Sequence, residues 1–186
     1  MYKNILVIAE VKTASPFGFR SAVNWEHLFE VAREVGDIVS VHTDPRWGGS
    51  FDLIRKAKRM TDKPILAKGI HESDDQINMA VEAGADRVLV VGRVPGVHTA
   101  LCFVEPLTLV ELAGLPEGTQ VVWNSRDIFS KDGGEKIETF DEAREVWSGW
   151  LCQASNITSA ADIKEGANAV LVGSHLEEFA RSIARS

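Results

Sequence analysis

The segment "VIAEVKTASP" (residues 7–16) begins as an apolar, strand-forming run and ends in charged and polar residues. Side chains of a strand alternate between its two faces, so Glu10 and Lys12, two positions apart, lie on the same face. A strand that ends inside an open barrel and faces a small polar ligand explains this pair of charges. A solvated strand terminus also explains it, and the remainder of the chain must distinguish the two.

The chain contains eight short runs that are rich in valine, isoleucine or leucine. Such continuous apolar runs are typical of parallel strands that are covered on both faces. The runs are residues 4–11, 37–43, 63–68, 86–91, 100–105, 119–124, 149–155 and 168–174. Amphipathic segments with helix start or stop signals lie between most of them, at residues 24–36, 50–61, 72–85 and 159–167. A further segment, residues 130–147, begins as a polar loop and ends as a helix.

Eight strands that alternate with helices predict an α/β protein with the (β/α)8 barrel, or TIM-barrel, fold. A doubly wound open sheet is disfavoured because no G-x-G-x-x-G phosphate loop follows the first strand. The barrel is expected to be minimal, since the chain has 186 residues in one predicted domain (1–186) and a typical barrel has about 250. Pro95 and Gly96 lie in the short connection between the fourth and fifth strands, so no helix is expected there.

Charge and composition limit the classes of partner. The formal net charge is −7, which argues against nucleic acid or an anionic membrane as the main partner. A small anionic substrate fits if cations cluster locally. No apolar run approaches the roughly 18 residues of a membrane span and no signal peptide is apparent, so a cytoplasmic protein is expected.

The two cysteines, Cys102 and Cys152, lie in apolar strand-like runs and not in a C-x-x-C motif. We interpret them as free, buried thiols, with a disulfide or a metal pair as the alternative. No His, Cys and Asp spacing typical of a metal site is present, and no cofactor is expected. His42 and His98 are interpreted as structural or rim residues.

Active sites of this fold form at the carboxyl ends of the strands. The predicted strand ends carry an unusual set of chemically capable side chains, which are therefore expected to converge. They are Glu10 and Lys12 of strand one, Lys68 of strand three, Glu105 of strand five, Asn124 and Arg126 of strand six, and Gly173 and Ser174 of strand eight.

All of these residues except Glu105 lie in motifs that resemble a known family. "AEVKTASP", "SVHTDPRWGGS", "PILAKGI", "NSRD" and "AVLVGS" occur here in the order seen in the indole-3-glycerol phosphate synthases. The resemblance extends from about residue 5 to residue 176. It implies a metal-independent decarboxylating cyclase of tryptophan biosynthesis, acting on 1-(2-carboxyphenylamino)-1-deoxyribulose 5-phosphate.

The resemblance also implies roles for the strand-end residues. Lys68 matches the general-acid lysine that protonates the substrate carbonyl, and Glu105 matches the general base. Lys12 matches a lysine that contacts the substrate's carboxylate, and Glu10 the carboxylate that orients these groups. Asn124 matches the asparagine that positions substrate hydroxyls.

Six further residues are assigned to substrate or phosphate binding by the same resemblance. Trp47 lies where the family has an aromatic residue that stacks on the anthranilate ring, although it is also interpreted as a loop anchor. Small residues at a strand end expose backbone N–H groups to an anion. The other five are Ser15, Arg126, Ser155, Gly173 and Ser174.

The chain departs from the family pattern at several positions. Ala154 and Asn156 stand where the family has a glutamate and a glycine around the strand-seven serine. Gly69 and Ile70 replace an Asp-Phe pair, and the family's N-terminal extension is expected to be absent. Two alternatives therefore stay open: a barrel that acts on another small phosphorylated substrate, and a degenerate barrel that binds a ligand without turnover.

The retained charges argue against the degenerate alternative. Glu10, Lys12, Lys68 and Asn124 are costly to bury unless they are paired, so a barrel selected only to fold would tend to replace them. The expected partner is a small phosphorylated substrate, with no nucleic acid and no membrane, and the expected state is a monomer or weak homo-oligomer.

Overall fold

The computed structural model describes residues 5–184. Eight parallel strands in it close into a barrel in chain order, and the first strand pairs with the last. Each predicted run contains one strand, which confirms the (β/α)8 architecture. The strands are β1 (Leu6–Val11), β2 (Ile38–His42), β3 (Ile65–Lys68), β4 (Arg87–Val91), β5 (Cys102–Glu105), β6 (Gln120–Asn124), β7 (Leu151–Ala154) and β8 (Ala169–Val172).

Six α-helices lie on the outside of the barrel in the described part of the chain. The side chains of Asn24, Ser50 and Ser73 cap the first three by accepting backbone N–H groups, as the sequence signals predict. The fifth begins at a capping box formed by Thr139 and Glu142. The helices are α1 (Trp25–Val35), α2 (Phe51–Met60), α3 (Asp74–Glu82), α4 (Leu109–Ala113), α5 (Phe140–Val146) and α6 (Leu176–Ile183).

The predicted helix at residues 159–167 is wrong. The segment forms a single 3₁₀ turn, Ala160–Asp162. The Asp162 carboxylate accepts the backbone N–H groups of Thr158 and Ser159, at 2.9 and 2.8 Å. These local hydrogen bonds satisfy the backbone in a turn, so the short polar segment does not extend into a helix.

The connection between β4 and β5 contains no α-helix, as predicted, although one 3₁₀ turn, Thr99–Leu101, forms within it. Asp74 at the start of α3 holds this connection by accepting the Arg93 guanidinium at 2.7 Å and the Gly96 N–H at 3.2 Å. His98 lies in the same connection, exposed, with its ring against Asn78. The outer surface of β4 and β5 is thus covered by a loop, and Val94 is half exposed.

The barrel interior explains why the site lies at the mouth. Alternate strand residues point inward, and the central ones are apolar and buried. They include Ile8, Leu66, Leu89, Phe103, Val122, Cys152 and Leu171. The next inward position along several strands is polar, so the alternation that fills the core also brings polar side chains to the carboxyl end.

Both cysteines are free and buried, which confirms their interpretation as thiols. Between residues 5 and 184 no helix has the length and apolar character needed to cross a bilayer. The same residues contain no cluster of three or more His, Cys, Asp or Glu side chains suited to a metal ion.

Candidate active site

Two cavities of opposite character meet at the mouth of the barrel, and Lys68 lines both of them. The first, the apolar cavity, is open to solvent and is lined by His42, Trp47, Lys68, Gly69, Ile70, Leu89, Val91, Glu105 and Ile128. The second, the polar cavity, is lined by Glu10, Lys12, Lys68, Arg126, Ser155, Asn156, Ile157, Leu171, Gly173, Ser174 and His175. A molecule with a ring at one end and an anion at the other would fit across them.

Glu10 lies at the centre of the mouth and is only 3% exposed. Its Oε2 atom accepts a hydrogen bond from Lys68 Nζ at 3.0 Å, and its Oε1 atom pairs with His42 Nε2. Burial alone raises the pKa of this carboxyl, but the charge of Lys68 and the His42 contact outweigh burial and hold the pKa well below its usual range. Glu10 is therefore an ionised carboxylate.

Gly173 makes room for that carboxylate. A Cβ atom at this position would collide with the Glu10 carboxylate oxygen. The glycine after β8 therefore has a packing function in addition to the phosphate-binding role that the sequence predicts.

Lys12 lines the polar cavity. Its Nζ atom donates to Ser174 Oγ at 2.9 Å and stands 5.3 Å from the centre of the Phe19 ring. Burial lowers the pKa of Lys12, although the charge of Glu10 opposes the shift. The contact with Ser174 favours an anion site here.

A series of hydrogen-bonded side chains, from Glu105 through Asn124 to Ser155, crosses the mouth opposite Glu10. Asn124 Nδ2 donates to Glu105 Oε1 at 2.9 Å, and Asn124 Oδ1 accepts the Ser155 hydroxyl at 2.6 Å. Burial raises the pKa of Glu105, because the opposing influence of Lys68 and Asn124 is smaller. A carboxylate with a raised pKa is a stronger base than a solvated one, which suits it to accept a proton.

The loop after β7 turns sharply beside the polar cavity. Ser155 and Asn156 both have left-handed backbone conformations, with φ of 75° and 57°, a region in which asparagine is better tolerated than most residues. Asn156 Oδ1 accepts the Arg126 guanidinium at 3.2 Å, and Asn156 Nδ2 donates to Glu135 at 2.7 Å. Asn156 therefore also holds Arg126 at the edge of the cavity.

Trp47 lies on the wall of the apolar cavity. Its ring stacks parallel to that of His42, with centres 5.9 Å apart, and the Arg46 guanidinium stands 5.2 Å from it. The residue is held as an anchor and also faces the cavity, whereas its stacking on the anthranilate ring stays a prediction. Ser15 lines neither cavity, and its hydroxyl oxygen accepts the backbone N–H groups of Phe17 and Phe19 at 3.3 and 3.2 Å.

Two residues were missed in the sequence, one inside the mouth and one close enough for its charge to act on Glu105. His42 is 4% exposed and contacts Glu10, so it lies inside the mouth and not at its rim. Its inward position at the end of a strand is the signal that identifies it. Lys136 reaches the region from the loop after β6, where Nζ stands 4.6 Å from the Trp123 ring centre, and burial lowers its pKa. A loop residue carries no comparable signal.

A family model described as indole-3-glycerol phosphate synthase matches residues 2–102, which is more than half of the chain. The chain belongs to the indole-3-glycerol phosphate synthase family. The matched region contains Glu10, Lys12 and Lys68, whereas Glu105, Asn124 and Ser155 lie beyond it. The first half of the barrel thus carries the strongest family signal.

Relatives extend the similarity along the chain. An indole-3-glycerol phosphate synthase of Thermococcus kodakarensis is 29% identical over 211 aligned positions, which cover 95% of this chain and 91% of that protein. The tryptophan biosynthesis protein TrpCD of Archaeoglobus fulgidus is 26% identical, over 95% of this chain and 37% of that protein. The synthase of Prochlorococcus marinus is 36% identical over 50% of this chain and 35% of its own length.

Proposed function

We propose that this family member is a carboxy-lyase that cyclises and decarboxylates 1-(2-carboxyphenylamino)-1-deoxyribulose 5-phosphate to indole-3-glycerol phosphate. The observation that carries the proposal is that the apolar cavity and the polar cavity, which contains cationic side chains, meet at Lys68. The substrate has the same division, with an aromatic ring at one end, a phosphate at the other and the reacting carbonyl between them. Binding across the two cavities brings that carbonyl to Lys68.

Ring closure requires a proton at the carbonyl oxygen while the ring carbon attacks the carbonyl carbon. Lys68 is the proton donor in this proposal, held at the junction by its 3.0 Å contact with Glu10. The carboxylate then leaves as carbon dioxide. The new hydroxyl takes up a second proton, which we assign to Lys12, and leaves as water, and a proton is lost from the carbon beside the nitrogen to form the indole. Glu105, with its pKa raised by burial, accepts that proton, and Asn124 orients Glu105 and the substrate hydroxyls.

The phosphate end is assigned to the polar cavity. Arg126, Lys12 and Ser174 supply cationic and hydroxyl groups there, and the backbone after β8 supplies N–H groups. Lys12 is also predicted to contact the substrate's carboxylate, but its hydrogen bond with Ser174 favours the phosphate. The assignment of Ser155 to the phosphate stays a prediction, since its hydroxyl donates to Asn124.

Two departures from the family pattern favour a second candidate function. Ala154 is buried and brings no carboxylate to the strand-seven side of the mouth, and Gly69 and Ile70 reshape the wall of the apolar cavity. Such changes suit a barrel that has kept the phosphate site and Lys68 for another small phosphorylated substrate. The paired charges around Glu10 argue against loss of all catalysis, because an unused buried charge is costly.

The test follows indole fluorescence and carbon dioxide release after the purified chain is mixed with the carboxyphenylamino substrate. The matched control is Lys68→Met, which removes the ammonium group but keeps a long side chain. Turnover by the wild type that is lost in the control supports the proposal. A wild-type chain that binds inorganic phosphate but forms no indole refutes the synthase proposal and favours the second candidate.

A further inference from the structure

His42 has no part in the roles assigned so far, although it lies within the mouth. Its ring is at the end of β2, is 4% exposed and lines the apolar cavity together with Lys68 and Glu105. One face stacks on Trp47, and Nε2 pairs with Glu10. A buried imidazole between a cavity wall and the Glu10 carboxylate is placed to influence the groups of the mouth.

The location of the hydrogen in this pair follows from the charges. Glu10 is ionised and only accepts, so His42 Nε2 must carry the hydrogen and donate it. Burial lowers the pKa of His42, which makes the ring neutral at pH 7. His42 Nδ1 then has no hydrogen, and it has no hydrogen-bond partner within the described residues. The ring thus donates to Glu10 without adding a positive charge to a mouth that already holds Lys12 and Lys68.

The hydrogen bond from His42 gives the two oxygens of Glu10 different partners. Oε1 is occupied by His42, and Oε2 is left for Lys68 at 3.0 Å. Gly173 lies beside Oε2 and leaves room for that oxygen because it has no Cβ atom. If His42 did not donate, Oε1 would be buried without a partner, and the carboxylate would turn toward the charge of Lys12 or take both its bonds from Lys68.

We propose that His42 is a positioning residue of the active centre: by occupying one oxygen of Glu10, it fixes the other oxygen on Lys68 and holds the Lys68 ammonium at the junction of the two cavities. This inference rests on the proposed function for its kinetic consequence. It assigns no direct contact between His42 and the substrate.

Two substitutions separate the hydrogen bond from the ring. His42→Gln loses the ring but places an amide N–H near the position of Nε2, whereas His42→Leu loses both ring and donor. Stacking on Trp47 is lost in both, so their difference reports the hydrogen bond. We expect kcat to fall tenfold or more in His42→Leu with a smaller change in KM, and to recover to within about threefold of wild type in His42→Gln.

A coupling measurement shows whether His42 acts through Glu10. In a Glu10→Gln background, His42→Leu is expected to have little further effect on kcat, because the carboxylate that it positions is already gone. An undiminished effect in that background would overturn the proposal. So would equal kcat values for the Gln and Leu variants.

A readout without turnover completes the test and separates it from the proposed function. Nitrogen-15 NMR of the lysine Nζ groups reports the surroundings of Lys68, whose resonance is assigned by its loss in Lys68→Arg. The resonance is expected to shift in His42→Leu and to stay near the wild-type position in His42→Gln. An unchanged resonance in folded His42→Leu overturns the proposal. If the wild-type chain forms no indole, the proposed function fails, and this comparison still decides the role of His42.

Discussion

Replacing Lys68 by methionine should destabilise the fold by about 3 kcal/mol at neutral pH. Breaking a buried ion pair costs about 3–5 kcal/mol because one charge is left without its partner. The lower end applies here, since the Lys68 side chain is 16% exposed and Glu10 keeps its contact with His42. For a chain of this size, each kcal/mol lowers the melting temperature by about 2–4 °C, so a decrease of about 6–12 °C is expected.

The pH dependence of this loss identifies Glu10 as its source. The pKa of Glu10 in the folded protein is held well below its usual range. Its contribution to stability is therefore fully present above the pKa of the unfolded carboxyl, about 4.3, and is lost as the pH falls through the folded value. The difference in unfolding free energy between wild type and Lys68→Met should be largest near pH 7 and should shrink at strongly acidic pH.

The same variant should lose about 10²–10⁴-fold in turnover, the usual value of a positioned general acid. Urea denaturation across pH measures the stability, and indole fluorescence measures the turnover. Lys131→Met, at an exposed loop position, is the matched control and should change neither quantity appreciably. A Lys68→Met variant with wild-type stability at pH 7 and wild-type turnover would refute the reasoning about both the ion pair and the proton donor.

Three other predictions concern the surroundings of the mouth. Glu105→Gln should raise the unfolding free energy, measured by urea denaturation, at pH 7–8 but not at pH 4. Burial raises the pKa of Glu105, so its ionised form is penalised in the folded state, and the substitution removes that penalty. An equal effect at both pH values would contradict this. Gly173→Ala should lower indole formation tenfold or more and lower the unfolding free energy by about 1–3 kcal/mol, because its Cβ collides with the Glu10 carboxylate. The control Gly114→Ala should retain activity, since no neighbour lies closer than 3.5 Å to the added Cβ. Cys152, whose thiol is fully buried and has a raised pKa, should react with a disulfide reagent only after unfolding, and rapid reaction of the folded chain would contradict its burial.

The strands were predictable because each parallel strand is buried on both faces and so reads as an apolar run. The helices were less so. The capping residues of α1 to α3 identified their starts, but the pattern at residues 159–167 was too short and polar to overcome the hydrogen bonds of Asp162. The short α4 and the terminal α6 were not singled out at all, and both depend on packing against their neighbours for stability.

Residues of the candidate site were predictable where strand geometry dictates their direction. Glu10 and Lys68 meet because inward positions at the carboxyl ends of β1 and β3, which flank β2, converge in the mouth. Ser15 and Lys136 lie in loops, whose paths the period of the sequence does not determine. His42 obeys strand geometry but was set aside as structural or rim, since a lone histidine does not reveal that its partner comes from another strand.

Closure between β1 and β8 has a consequence for folding. In this pairing Leu6 lies opposite Ala169. The carboxyl ends of the same two strands also form part of the mouth, where Lys12 contacts Ser174 and Gly173 lies beside Glu10. Contacts between residues so distant in the chain form late, and they reduce the rate of folding. A growing chain on the ribosome therefore cannot assemble the polar cavity until β8 emerges. Before then, any sheet that has formed has two open edges, which can pair with other chains and aggregate.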